Sequence, residues 1–190
     1  SCNSWYGRFR RRAWSSRANV HSALALMVSN PSLSSSKLST FTPRPATLPA
    51  WADVPEAERP FQRRLMEVFA GFTEHVDAQV GRLVDEVERL GYGDNTLVFY
   101  IWGDNGASAE GQGGTISELL AQNGIPSTTA QHIKALDGLG GLDALGSPKT
   151  DNMYHAGWAW AGSTPYRSTK LVAAHFGGTR NPMVVSWPAK

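Results

Sequence analysis

Hydrophobic residues recur at steps of three and four along residues 61–90, which is the spacing that places side chains on one face of an α-helix. Most of the acidic side chains in this stretch fall away from that face. Gly91 follows, and helices commonly end just before a glycine. The pattern therefore predicts a long amphipathic helix that begins at Asp53 or Glu56 and ends near Leu90.

A different pattern occupies residues 96–102, where β-branched and aromatic residues follow one another without polar alternation. Such a run is typical of a strand that is buried on both faces, as in a parallel sheet. A second apolar run at residues 183–187 predicts another short strand. A helix that leads directly into a buried strand is half of an α/β layer, so we predict an α/β fold with a central, mostly parallel sheet flanked by helices.

Between these strands, residues 106–165 are rich in glycine and lack long periodic runs. Short helices are predicted at residues 116–123 and 131–136, and a loop is predicted at residues 138–146. Long loops inside a compact domain are usually functional or mobile. Trp158 and Trp160 lie in this segment, and they would either line a substrate cleft or anchor the loop on the domain.

The composition excludes several classes of protein. With 190 residues, 41% of them hydrophobic, the chain is long enough for one sizeable core. Cys2 is the only cysteine, which rules out an intramolecular disulfide. No apolar run approaches the roughly 18–20 residues that a membrane-spanning helix needs. We therefore expect a soluble protein without a membrane partner, and the composition does not indicate an oligomeric state.

The N-terminal segment, residues 1–41, is rich in serine and carries a basic cluster at Arg8–Arg12. Residues 1–52 contain seven Lys or Arg and no acid, whereas residues 53–190 contain 11 basic and 16 acidic residues. The segment could be a targeting peptide, an arm that binds nucleic acid or another polyanion, or a disordered or non-native leader. We predict the last of these, with a globular domain over residues 42–190, and we do not expect a nucleic-acid partner.

The tetrapeptide Gly103-Asp104-Asn105-Gly106 directly follows the first predicted strand. Ligands of open α/β sheets bind at the carboxyl ends of the strands, where this tetrapeptide must lie. The Asp104 carboxylate and the Asn105 amide oxygen suit a hard cation such as calcium or magnesium. The same sequence also forms ordinary Asx turns, so a cation site and a plain turn are both open at this point.

Lys170 lies ahead of the motif Gly-Gly-x-Arg-x-Pro at residues 177–182. A lysine close to a metal at a strand end could hold an anionic substrate and stabilise a leaving group. A lysine in a loop is otherwise an ordinary solvated charge. Lys170 is therefore a candidate for binding an anionic substrate only if it lies close to a metal site.

These motifs, in this order, resemble the sulfatase family. A buried strand leads into Gly-Asp-Asn-Gly, and a lysine and the Gly-Gly-x-Arg-x-Pro motif follow downstream. The pair His175-Phe176 before the glycines is similar to the corresponding pair in bacterial arylsulfatases. The resemblance covers roughly residues 42–190, and the interval between Lys170 and Gly177 is one residue longer than in the commonest sulfatase pattern.

The resemblance implies an alkaline-phosphatase-like α/β fold, represented in part, and the hydrolysis of a small-molecule sulfate ester. It implies calcium as the cofactor, with Asp104 and Asn105 as two of the metal ligands. Lys170 would be the catalytic, substrate-binding residue that contacts the sulfate oxygens. Asparagine rather than histidine beside the aspartate favours the calcium-dependent branch, and the family implies a bacterial cytoplasmic or periplasmic location.

The chain departs from the family in its nucleophile. Sulfatases use a formylglycine made from the cysteine of a Cys-x-Pro-x-Arg motif, and the residues after Cys2 do not form that motif. We therefore expect this stretch to be inactive by itself. The alternative hypothesis is a non-catalytic remnant that binds polyanions through Arg8–Arg12.

Overall fold

The computed structural model of the chain describes residues 43–190. The predicted leader at residues 1–41, including Arg8–Arg12, lies outside the described residues, so polyanion binding by that segment stays a prediction. The helices are α1 (Arg59–Arg89), α2 (Glu118–Gln122), α3 (Thr129–Asp137), α4 (Ala156–Ser163) and α5 (Phe176–Thr179), and the strands are β1 (Val98–Ile101) and β2 (Met183–Ser186).

The long predicted helix is confirmed as α1, which is 31 residues long. It follows a 3-10 turn at Glu56–Glu58, and Pro60 is its second residue, where its missing N–H is not needed. At the other end, Arg89 pairs with Glu86, and a basic residue in the last turn complements the helix dipole. The predicted start and end are therefore correct to within a turn or two.

The two predicted strands are also present, but they form a two-stranded antiparallel sheet. The antiparallel direction follows from the bond that Trp102 N–H donates to the carbonyl of Pro182, 3.1 Å away, just beyond the adjoining ends of β1 and β2. The expectation that β1 is buried on both faces is wrong, because Phe99 and Ile101 are 57% and 58% exposed. No described element covers the face that these two side chains share. A central parallel sheet therefore stays a prediction.

The described residues divide into two compact units. The packed unit comprises residues 43–70 and Tyr100–Met183, and the helix–strand unit comprises Gly71–Phe99 and Val184–Lys190. The core lies in the packed unit, where the first turns of α1 meet α3 and the 3-10 helix Gly141–Ala144. Its buried members are Phe61, Leu65, Leu136, Ala144 and Leu145.

Within the packed unit, the short predicted helices are confirmed as α2 and α3. The side chain of Thr128 accepts a bond from Gln131 N–H and that of Gln131 accepts one from Thr128 N–H, a capping box that fixes the start of α3. Trp158 and Trp160 belong to helix α4 rather than to a loop. The Trp158 ring lies 5.9 Å from that of Trp51, so it anchors α4 on the residues that precede α1.

Across residues 43–190, none of the helices is both long enough and apolar enough to span a membrane.

Candidate functional site

The loop after β1 begins with Gly103, whose φ of 113° is readily adopted by glycine alone. Asp104 is exposed at the start of this loop, and Asn105 is half-buried. The Asn105 amide donates from Nδ2 to the carbonyl of Gly106, 2.9 Å away. The backbone carbonyl of Asn105 accepts a bond from Asn181 Nδ2. Both asparagines therefore fix the shape of the loop, and the Asn105 side chain is held in a defined orientation.

Backbone contacts bring this loop against the segment that carries the lysine and the two glycines. Gly106 N–H donates to the carbonyl of Gly178, and Lys170 N–H donates to the carbonyl of Ala107, each over 2.9 Å. A Cβ at Gly106 would overlap the carbonyl oxygen of Gly177, so glycine is required for this close approach. Two motifs that are far apart in the sequence therefore form one surface.

The side chain of Lys170 is held within this surface. Its Nζ lies 2.6 Å from Oε2 of Glu110, and the two side chains are 33% and 26% exposed. The hydroxyl of Ser108 donates to the same carboxylate oxygen over 2.7 Å. Lys170, Glu110 and Ser108 therefore form a chain of charged and polar groups that begins three residues after Asn105.

The electrostatics of this group keep both partners charged. The hydrogen bond that Lys170 donates to Glu110 raises the pKa of the lysine above its ordinary value, and Glu118 and Asp104 raise it further through their charges. The bond from Lys170, supported by Ser108, lowers the pKa of Glu110. The Asp104 carboxylate is thus within range to influence the pKa of Lys170 through its charge.

The Gly-Gly-x-Arg-x-Pro motif is anchored by its arginine. The guanidinium carbon of Arg180 lies 3.7 Å from the centre of the Phe176 ring and 5.7 Å from that of Tyr166. The two aromatic rings also meet edge to face, 5.9 Å apart. This cation–π cluster stabilises the short helix α5, whose glycines contact the loop after β1.

A divalent cation would find ligands of the right kind here, but few of them. Asp104 and Asn105 supply a carboxylate and an amide oxygen, the donors that hard cations prefer. A calcium ion takes six to eight oxygen ligands, so these residues can supply only part of its coordination shell. Within the part of the chain that the structure describes, no three His, Cys, Asp or Glu side chains are grouped so as to hold a metal ion. The oxygen ligands present are of the type that calcium prefers, but they are too few to complete its coordination shell.

The histidines take part in other contacts. His132 is buried, and its Nε2 lies 2.9 Å from Ser127 Oγ beside a cavity of about 200 Å³. His155 accepts a bond from Gly157 N–H at the start of α4. Burial lowers the pKa of both imidazoles. The motifs assigned neither residue a role, and the structure gives His155 a capping role.

Glu110 and Ser108 are the site residues that the sequence analysis missed. Glu110 pairs with a lysine 60 positions away, and nothing in its local sequence indicates that contact. The feature of the sequence that could have identified Glu110 is its position in the loop that follows Gly-Asp-Asn-Gly. A carboxylate so close to a proposed cation site was a reasonable candidate on position alone.

Comparison with known proteins assigns this chain to a family. The profile of the Sulfatase family matches residues 20–190, which is most of the chain. The match begins inside the segment that the sequence analysis set apart as a leader. The chain belongs to the sulfatase family.

Two curated relatives show the extent of the similarity. An uncharacterized sulfatase of Schizosaccharomyces pombe is 31% identical over 139 residues, which cover 73% of this chain and 23% of that protein. An arylsulfatase of Klebsiella aerogenes is 24% identical over 138 residues, which cover 73% of this chain and 27% of that protein. The chain thus spans about a quarter of the length of these relatives. No solved structure matches.

Proposed function

We propose that this chain contributes the later part of the active site of a sulfatase that hydrolyses a small-molecule sulfate ester. The observation that carries the proposal is the pair of backbone bonds from Gly106 to Gly178 and from Lys170 to Ala107. These bonds join the two most specific motifs of the chain at the carboxyl end of β1. Family membership supplies the reaction class.

Lys170 is the residue that would contact the sulfate group. Its ammonium is charged across the neutral range, because the ordinary pKa of a lysine lies well above 7 and the hydrogen bond to a neighbouring carboxylate raises that pKa further. It is also one-third exposed, so an anion can reach it. A fixed positive charge that faces an ester sulfate stabilises the negative charge that develops as the ester bond breaks.

Asp104 and Asn105 would hold calcium together with oxygen ligands from elsewhere in the protein. When bound, calcium offsets the charge of the sulfate and polarises its oxygens. The contribution of this chain is structural: the Asn105 amide is oriented by Gly106, and its backbone is held by Asn181.

The first test is hydrolysis of p-nitrophenyl sulfate, in the presence of calcium, by the protein expressed from its natural gene. We expect Lys170→Ala to lower kcat by about 10²–10³-fold, the cost of removing one preorganised charge-stabilising group. Asp104→Ala should abolish the calcium-dependent part of the activity. Full activity in either variant would contradict the proposal.

The chain contains a matched control for the metal ligands. The dipeptide Asp94-Asn95 repeats the sequence of Asp104-Asn105 just before β1, in a 3-10 turn where Asn95 accepts a bond from Trp187 Nε1. Asp94→Ala removes the same side chain from the opposite end of the strand. We expect it to leave both activity and calcium dependence unchanged. Equal losses in Asp94→Ala and Asp104→Ala would indicate general destabilisation.

An aryl sulfate is the substrate class to test first, because one of the relatives is an arylsulfatase. An alkyl sulfate assayed beside p-nitrophenyl sulfate tests that preference directly. A higher kcat/KM for the alkyl ester would still support sulfate ester hydrolysis, but it would show that the preferred substrates are alkyl rather than aryl sulfates.

A further inference from the structure

One charged residue of the site has no role in the function proposed above. Glu110 lies in the loop after β1, and its carboxylate is only 26% exposed. Its carboxylate is bonded by Lys170 and Ser108. The contacts of this carboxylate nevertheless converge on the residue that would face the sulfate.

Three hydrogen bonds link Glu110 to its neighbours in a fixed order. Its own N–H donates to Ser108 Oγ over 3.3 Å, and the Ser108 hydroxyl donates back to Oε2 of Glu110 over 2.7 Å. The same Oε2 accepts from Lys170 Nζ over 2.6 Å. The loop thus holds Ser108 and Glu110 together, and Glu110 in turn holds the ammonium.

The backbone of Lys170 is attached to the same loop. Its N–H donates to the carbonyl of Ala107, 2.9 Å away. The backbone N–H and the side-chain ammonium of Lys170 are therefore both bonded to residues 107–110. A free lysine side chain samples many rotamers, and two such attachments remove most of that freedom.

We propose that Glu110 positions Lys170 for contact with the anionic group of the substrate, an inference that rests on the function proposed above. The ammonium has three N–H donors and uses one of them on Glu110. Two donors then remain for an anion. A charge-assisted hydrogen bond to a partly buried carboxylate is strong enough to hold the ammonium in one place while an anion arrives.

The chain offers a matched control for the charge of Glu110. Glu118, the first residue of α2, also raises the pKa of Lys170, but its Oε1 accepts a bond from Gln122 Nε2 instead. Glu118→Gln therefore removes the same charge without removing a contact to the ammonium. A positioning role and a purely electrostatic role then give different results.

The first experiment compares kcat and KM for p-nitrophenyl sulfate in the protein expressed from its natural gene. We expect Glu110→Ala to lower kcat about tenfold, as is usual when the group that orients a site residue is removed. KM should change less than about threefold, because the lost orientation is offset by the loss of a competing negative charge. Glu110→Gln keeps an acceptor oxygen in place and should recover most of kcat. Glu118→Gln should match the unaltered protein.

Two results would overturn the proposal. A Glu110→Ala variant with unaltered kcat would show that Lys170 is positioned without it. Equal losses of kcat in Glu110→Ala and Glu118→Gln would show that only the summed charge matters.

A second measurement does not depend on activity. The side-chain NMR signal of Lys170 can be assigned as the lysine signal that a Lys170→Arg variant lacks. We expect the Lys170 ammonium to be ordered in the unaltered protein and to become as mobile as an exposed lysine in Glu110→Ala. An equally ordered Lys170 in that variant would overturn the positioning role.

Addition of inorganic sulfate separates this inference from the function on which it rests. Sulfate should shift the Lys170 signal in the unaltered protein and shift it less in Glu110→Ala at the same concentration. If sulfate leaves Lys170 unshifted in the unaltered protein, the proposed sulfate contact fails. The mobility of Lys170 in Glu110→Ala would still report on the Glu110 contact by itself.

Discussion

The packed unit and the helix–strand unit contain similar kinds of residues and bury them to different extents. Every buried hydrophobic side chain of the described residues lies in the packed unit. In the helix–strand unit, none of residues 71–99 or 184–190 is buried. Several of its apolar side chains are more than 40% exposed, among them Phe72, Leu83, Leu90, Leu97, Phe99, Val184 and Val185.

Helix α1 shows the same contrast within one element. Its apolar stripe is continuous in the sequence, and in its first turns Phe61 and Leu65 are 1% exposed. Leu83, on the same stripe, is 69% exposed. The contrast teaches that an amphipathic pattern determines which face of a helix is apolar, whereas burial depends on what packs against it.

The largest expected change in the free energy of unfolding comes from replacing a buried leucine of α1, and an exposed leucine of the same helix serves as its comparison. Leu65→Ala should lower the free energy of unfolding by about 2–5 kcal/mol, because it leaves a cavity among Phe61, Leu136 and Leu145. Leu83→Ala should change it by less than about 0.5 kcal/mol, since that side chain is already in water. Urea denaturation measures both. Similar losses in the two variants would show that Leu83 is covered in solution.

Two glycines give the next largest effect, and with opposite signs. Gly106→Ala should destabilise the protein by about 1–3 kcal/mol, because its methyl group would collide with the Gly177 carbonyl and force the backbone to move. Gly81 lies in α1, and apart from the nearby backbone of the helix itself no atom lies within 4 Å of its Cβ position. Gly81→Ala should therefore stabilise the protein by roughly 0.5–1 kcal/mol through helix propensity. Thermal unfolding of the two variants measures the sign, and a stabilising Gly106→Ala would contradict the close approach.

The parts of the molecule that could be predicted are those set by local patterns. The recurrence of apolar residues every three or four positions predicted α1, and the two apolar runs predicted β1 and β2. The position of Asp104-Asn105 at the end of β1 follows because the dipeptide comes just after that strand in the sequence. These features depend on residues within about a turn or a strand of one another. The interpretation of Lys170 as a site residue needed the family motif as well.

The parts that could not be predicted depend on distant contacts. The exposure of Phe99 depends on which elements cover β1, and the sequence of the strand does not contain that information. Glu110 is a site residue only because Lys170, which is 60 positions away in the sequence, donates a hydrogen bond to it. The helical conformation of Trp158 and Trp160 was missed because the segment is rich in small residues and lacks a clear period.

A smaller effect, dependent on pH, compares two histidines. Burial lowers the pKa of His132, so below its ordinary pKa of about 6.5 the unfolded chain binds more protons than the folded protein does. The free energy of unfolding should therefore fall as the pH drops below about 6.5. His155, whose pKa is also lowered by burial, contributes in the same direction.

Replacement of His132 tests how much this residue contributes to the pH dependence of the free energy of unfolding. We expect His132→Asn to make the decrease between about pH 7 and pH 5 shallower, whatever its effect on stability at neutral pH. His75→Asn, on the exposed surface of α1, is the matched control for the replacement of a histidine. Urea denaturation at several pH values gives the slopes. The same slope in His132→Asn and the unaltered protein would contradict the assignment.

The smallest expected effect on stability concerns the exposed face of β1. Phe99→Lys should change the free energy of unfolding by less than about 0.5 kcal/mol, because the side chain is 57% exposed. The same change should reduce self-association, since a charge on an exposed apolar strand opposes pairing with another chain. Tyr92→Lys, at a 68% exposed position outside the strand, adds the same charge and controls for its general effect on solubility. Sedimentation velocity over a range of concentrations measures association. A loss of several kcal/mol in Phe99→Lys would show that this face is covered in solution, and the contrast between the two units would then be smaller than the structure indicates.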